Sequence, residues 1–146
     1  MPLAHEALTS KILEAAFEVS NELGPGFIES VYEAALFIAL ADKGIKAVRQ
    51  APIKVHFRNK LVGTFFADLL VEDSVILELK AAKSLAPEHL AQVLNYLKAA
   101  RRPLALLLNF GTPKLEFRRF DNRFQSHVNR DEGDEGDMKK PNSEIR

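Results

Sequence analysis

The chain has 146 residues, 47% hydrophobic and 27% charged, the size and composition of one soluble globular domain. It has no Cys, which excludes disulfides, thiolate metal sites, iron–sulfur clusters and Cys nucleophiles. Its 20 basic and 20 acidic side chains cancel, whereas a protein that binds nucleic acid by bulk charge alone is far more basic. The chain opens Met1-Pro2-Leu3-Ala4-His5-Glu6, with no basic segment leading into an apolar one, and no apolar run approaches the ~20 residues of a membrane span. A cytoplasmic location without membrane contact is the expectation.

Thr9 or Ser10 is expected to cap a first helix. Its apolar positions Ile12, Leu13, Ala16, Phe17 and Leu23 recur at helical spacing, and Gly24-Pro25-Gly26 ends it. A second helix is predicted from Ile28–Ser30 to about Asp42, stopped by Lys43-Gly44. The period then changes to two. Lys46–Gln50 and Ile53–Phe57 read as short strands around Pro52, and Arg58-Asn59-Lys60 as a hairpin turn. Leu61–Val71 is a long strand with Gly63 suggesting a bulge, and Glu72-Asp73-Ser74 a turn into Val75–Lys80. That last strand is apolar on both faces until its charged end and is expected in the middle of a sheet. Pro87–Arg101 reads as a helix, Leu104–Asn109 as a buried strand and Leu115–Phe120 as a final strand. The order ααββββαββ predicts an α/β fold, a mixed sheet flanked by helices, with a parallel crossover through the third helix. Residues 1–120 form the expected domain. Residues 121–146, with the run Asp131-Glu132-Gly133-Asp134-Glu135-Gly136-Asp137, are expected to be a disordered tail.

One constellation carries chemistry. If Val71 pairs with Val75 across the turn, Asp68 falls opposite Glu78, and Lys80 points to the same face. Opposed carboxylates repel, so they imply a cation or a shared proton. One reading places them at a solvated edge with Lys80 neutralising one acid. The other has them hold a divalent cation, Mg²⁺ or Mn²⁺, with Lys80 acting on the attacking water or on the phosphate. Glu29 is either a first-turn acid facing the helix dipole or a third acid of this group. Tyr32 shares its helix face and otherwise packs half-buried. Gln92 and Tyr96, four apart, share a helix face that His89 extends by a turn; otherwise they form a polar helix flank. Lys46, Arg49, Lys54, Arg58 and Lys60 make either a phosphate-facing strip or a solvated hairpin. The four His lack metal-ligand spacing, and neither a phosphate-binding Gly loop nor a Ser nucleophile elbow is present.

Asp68, nine residues, then Glu78-x-Lys80 on a hairpin resembles the core motif of the PD-(D/E)XK nuclease superfamily, with Ala67 where Pro often stands. Gln92-x-x-x-Tyr96 on the following helix is similar to the Q-x-x-x-Y element of its RecB-type members. The segment Gly26-Phe27-Ile28-Glu29-Ser30-Val31-Tyr32, followed in order by Ala67–Asp73, Glu78–Ala81, Gln92–Leu97 and Asn109–Gly111, resembles the GxxExxY family over residues 8–120. The resemblance implies a restriction-endonuclease-like core. It implies Asp68, Glu78, Glu29 and the Leu79 carbonyl as metal ligands, Lys80 as catalytic lysine, Gln92 and Tyr96 as groups orienting Lys80 or a phosphate, and Tyr32 and His89 as support. Phe66 stands where relatives commonly have Arg, and Ser20 where many have His. The expected function is a Mg²⁺- or Mn²⁺-dependent nuclease acting on nucleic acid, DNA first, as a homodimer. The alternatives are a catalytically silent nucleic-acid- or protein-binding module and a phosphoesterase acting on a small nucleotide.

Overall fold

The computed structural model describes residues 5–122. Helix α1, Glu6–Leu23, buries the stripe Ile12, Ala15, Ala16 and Val19. It starts before the expected cap, and the Thr9 hydroxyl donates to the His5 carbonyl at 2.9 Å from inside the first turn instead of capping it. At its other end the Gly24 N–H closes back on the Ser20 carbonyl at 2.9 Å, with Gly24 in the left-handed region (φ 69°) that favours glycine. Helix α2 spans Glu29–Asp42. Tyr32, fully buried, fixes the connection between them. Its hydroxyl donates to the Gly24 carbonyl at 2.6 Å and accepts the Phe27 N–H at 3.2 Å, and its ring stacks on Phe110 at 4.8 Å.

Strand β1 is Ala47–Phe57, β2 Lys60–Val71 and β3 Val75–Lys80. Helix α3 is Pro87–Ala100, and β4, Leu104–Asn109, and β5, Glu116–Asp121, complete the sheet. The strands lie in the order β1-β2-β3-β4-β5, antiparallel except for the β3/β4 pair that α3 connects. The two short strands expected around Pro52 are one strand, so the order is ααβββαββ. Pro52 is tolerated because β1 is an edge strand, which has no neighbour on its outer side to need a proline N–H. The register shift expected near Gly63 is present: Val55 pairs with Gly63, but His56 pairs with Leu61.

Two cores sandwich the sheet. On one face α1 and α2 pack on Leu69, Val71, Val75, Leu77, Leu79 and the even-numbered leucines of β4. On the other, Val93, Leu97 and Ala100 of α3 pack on Ile76, Ala105, Leu107, Ala51 and Ile53. Every residue of β4 is buried, and β3 is buried and apolar on both faces until its charged end, as expected of a central strand. Asn122, just past β5, is buried and donates to the Leu97 and Arg102 carbonyls, so the ordered body includes the first two residues of the expected tail. The remainder of that segment lies outside the described residues. Among the described residues no helix is long and apolar enough to cross a membrane.

Tyr32→Phe leaves the Gly24 carbonyl and the Phe27 N–H without their buried partner. Urea unfolding should show a loss of about 1–2 kcal/mol; an unchanged midpoint would refute this role for the hydroxyl.

Candidate active site

The site lies where β2 and β3 part. Their pairing runs Val71↔Val75, Leu70↔Ile76, Leu69↔Leu77, the register expected from the turn, and the backbone ladder stops there. At the next step side chains replace the ladder. Asp68 Oδ2 accepts the Leu79 N–H at 2.7 Å, and Glu78 Oε2 accepts the Asp68 N–H at 3.3 Å. Each carboxylate thus bonds to the opposite strand. Leu79 spends its N–H toward β2, and because N–H and C=O of one extended residue point the same way, its carbonyl also faces the fork.

Glu78 is buried (5% exposed) and Asp68 half-buried. Burial is the largest cause that pushes Glu78 up to about 8; the adjacent Asp68 charge adds to it, while the Asp68 N–H and Lys80 oppose it. Asp68 is raised as well, first by burial and then by Glu33 and Glu29, against the pull of the Leu79 N–H. Carboxyl groups this close and this poorly solvated disfavour double ionisation, and a cation between them would oppose that tendency.

Lys80 leaves β3 on the same face. Its Nζ donates to Gln92 Oε1 at 3.3 Å, and Gln92 Nε2 donates to the Tyr96 hydroxyl at 3.0 Å. Tyr96 in turn stacks on Phe65 of β2, ring centroids 3.6 Å apart. Burial raises the Tyr96 hydroxyl, with the Glu78 and Asp68 charges contributing, so the phenol stays protonated. The structure therefore brings Asp68, Glu78, Lys80, Gln92 and Tyr96 together.

The remaining candidates are placed differently. Glu29 opens α2, exposed, and its charge reaches both Asp68 and Glu78. Tyr32 is engaged by the Gly24–Phe27 connection. His89 Nδ1 accepts the Ala86 N–H at 3.0 Å, holding the start of α3. Phe66 is exposed, and Ser20 is buried with a hydroxyl that finds no partner among the described residues. Arg49 of the basic strip is paired with Glu33.

Sequence reasoning missed Glu33 and Gln50. Glu33, buried on α2, accepts Arg49 Nε at 3.0 Å and Gln50 Nε2 at 2.8 Å. Gln50 lies opposite Asp68, between the pairs Arg49↔Leu69 and Ala51↔Ala67, and its side chain opposes the upward shift of the Asp68 carboxyl. Its φ of 50° is unusual for a residue with a side chain and costs about 1–2 kcal/mol. An acid one turn before Leu36 on an otherwise apolar stripe was the available signal for Glu33. Gln50 gave none, because splitting β1 removed the register that places it.

The end of β4 sets the segment that follows Lys80. Buried Asn109 accepts the Ala82 and Gly111 N–H groups through Oδ1 and donates to the Ala82 carbonyl and to Glu116. A Cβ on Gly111 would collide with the Ala82 backbone, which explains glycine there.

A family profile described as the PD-(D/E)XK nuclease superfamily matches residues 6–120, and the chain belongs to that superfamily. The solved crystal structure of SSO0001 is similar in fold, with a TM-score of 0.51 and 17% identity over 80% of this chain. The chain spans 59% of that structure's length. No relative is found among curated proteins.

The superfamily generally uses divalent metals. Asp68, Glu78 and the Leu79 carbonyl are all oxygen donors suited to a hard cation. Asp68 Oδ1 and Glu78 Oε1 are the oxygens not taken by the crossed backbone bonds, and the like-charge crowding of the pair is what a cation relieves. These residues fit. Among the described residues, no three His, Asp or Glu side chains gather into a metal-holding group, so the carbonyl and water would complete the shell.

The carboxyl of Glu78 binds its proton more tightly folded, near 8, than unfolded, near 4.5. Its contribution to stability is full below about pH 4.5 and is lost as pH rises through about 8. Without metal, the wild type should therefore lose stability relative to Glu78→Gln between about pH 5 and 9, by a few kcal/mol in all. Denaturant melts of both proteins across that range test this; a difference flat with pH would refute it.

Proposed function

We propose that the chain is a nuclease that hydrolyses phosphodiester bonds of nucleic acid with Mg²⁺ or Mn²⁺. The carrying observation is the mostly buried Asp68–Glu78 pair at the fork, with Lys80 on the same face. Asp68, Glu78 and the Leu79 carbonyl would hold the cation, with Glu29 adding negative charge from the start of α2. Bound there, the cation supplies positive charge to polarise a phosphate oxygen and to acidify a water.

The protein's own groups do the rest. Lys80, steered by Gln92, places an ammonium beside the phosphate and stabilises the charge that develops as water oxygen bonds to phosphorus and the P–O ester bond breaks. The attacking water loses one proton, and the leaving oxygen gains one. Gln92 and Tyr96 fix the Lys80 rotamer rather than touch the reacting atoms. Gln50, locked by Glu33, holds Asp68 against the crowding of its neighbours. The burial of Glu78 lowers the local dielectric, which strengthens each of these interactions.

Cleavage of a labelled oligonucleotide in Mg²⁺ and Mn²⁺ tests the proposal. Asp68→Asn, Glu78→Gln and Lys80→Met should each lower the rate by about 100-fold or more while thermal melts show a folded domain. Full activity in Asp68→Asn and Glu78→Gln would overturn it. Metal binding at the pair without cleavage of any substrate would favour the silent binding module instead.

Glu33→Gln should act through position. It breaks the charged clamp on Arg49 and Gln50, so cleavage should fall several-fold with the metal requirement shifted to higher concentration. A rate and metal dependence equal to wild type would refute that role.

A further inference from the structure

Resting on the nuclease reading, we infer that the β1–β2 hairpin is an arm that enters the major groove of double-stranded DNA beside the reacting phosphate. The arm is a direct product of the fork. β2 pairs with β1 along Lys60–Val71 but with β3 only over Leu69–Val71. From Ala67 outward the two strands form a ribbon with no third neighbour. Its base is anchored: Ala51, Ile53 and Ala67 are buried under α3, and Phe65 stacks on Tyr96. Beyond that anchor, residues 56–64 are all exposed.

Reach and shape favour this occupant. The seven residue steps from Ala67 to Lys60, at about 3.3 Å each, carry the tip about 23 Å from the fork. That equals about seven base pairs of duplex. A two-stranded ribbon fits the wide major groove of B-form DNA, whereas the A-form groove of RNA is too narrow to admit it. The tip is a two-residue turn, with Arg58 and Asn59 both at positive φ, which keeps it slim.

Chemistry agrees with shape. Between Gln50 and Asp68 the sequence holds Lys54, Arg58 and Lys60 and no acid. None of the three forms an ion pair among the described residues. The Arg58 guanidinium lies over the Phe57 ring, 4.8 Å from its centroid, which presents the charge at the tip. Phe57, Leu61, Val62 and Phe66 are each more than half exposed. Such apolar side chains interleaved with unpaired cations suit thymine methyls and sugars flanked by phosphates. The arm and the carboxylate pair share β2, so a duplex held by the arm is registered against Asp68.

The test measures binding in EDTA, independent of cleavage, by anisotropy with a 25-base-pair DNA duplex and an RNA duplex of matching sequence. The wild type should bind the DNA duplex at least tenfold more tightly. Combined Lys54→Gln, Arg58→Gln and Lys60→Gln should weaken DNA binding tenfold or more. The slope of log affinity against log salt should fall by about 0.9 for each phosphate that is no longer neutralised. Phe57→Ser with Leu61→Ser, which keeps every charge, should weaken binding several-fold. Hydroxyl-radical footprinting of the wild type needs no variant to fold, and should show protection reaching about seven base pairs to one side of the cleavage position. Unchanged affinity in the triple variant, equal affinity for both duplexes, or a footprint without that extension would overturn the inference. So would light scattering showing that the substitutions abolish self-association and leave DNA affinity intact. Hydrolysis of bis(4-nitrophenyl) phosphate by the wild type, a diester too small to touch the arm, is scored separately. Activity there with no loss of DNA binding in the triple variant refutes the arm and spares the nuclease; loss of DNA binding in the triple variant with neither the small diester nor an oligonucleotide cleaved by the wild type refutes the nuclease and spares the arm.

Discussion

Two hydrogen bonds organise this molecule: Leu79 N–H to the Asp68 carboxylate, and Asp68 N–H to the Glu78 carboxylate. They stand where a sheet ladder would otherwise continue. A backbone N–H in this half-dry setting needs an acceptor, and leaving one unmade costs about 1–3 kcal/mol. Supplying acceptors from side chains lets β2 and β3 part without that loss. The same exchange forces two carboxyl groups together in a poorly solvated place. The strand divergence, the crowded acids and the free-standing β1–β2 ribbon are therefore consequences of one local substitution of side chain for backbone.

The surrounding structure holds that arrangement from three directions. On the α2 side, Glu33 fixes Arg49 and Gln50 and so supports β1 opposite Asp68. On the α3 side, Gln92 and Tyr96 carry Lys80, with the Phe65–Tyr96 stack tying the helix to β2. At the C-terminal end of β4, Asn109 binds the segment after β3 through both of its polar atoms. The residues on either side of Asp68 and Glu78 belong to the two cores. Rigidity comes from polar contacts seated on two apolar layers, which places precise chemistry on a stable support.

Much of this could be read in the sequence, for reasons particular to each part. The three-residue turn at Glu72-Asp73-Ser74 is short enough to fix register, and register placed Asp68 against Glu78. The doubly apolar β3 and β4 announced the sheet's centre. Helical spacing put Gln92 and Tyr96 on one face, though it could not show that Lys80 joins them. What escaped depends on tertiary context. Pro52 read as a break because its position on an edge strand is invisible locally, and with β1 divided, Gln50 had no partner. Glu29 and Tyr32 were expected to act together by spacing. In the fold, the helix start turns Tyr32 into the Gly24–Phe27 connection, and Glu33, one turn after Glu29, is the buried acid beside the site.

If the crowded Asp68–Glu78 pair is a cation site, a divalent cation entering it displaces the proton that burial favours on Glu78. Calorimetric titration of Mn²⁺ at pH 7, in two buffers of different ionisation enthalpy, measures that exchange without any choice of substrate. About one proton should be released per cation bound, with neither binding nor release in Glu78→Gln. Binding with no proton release, or binding that survives in Glu78→Gln, would contradict that exchange.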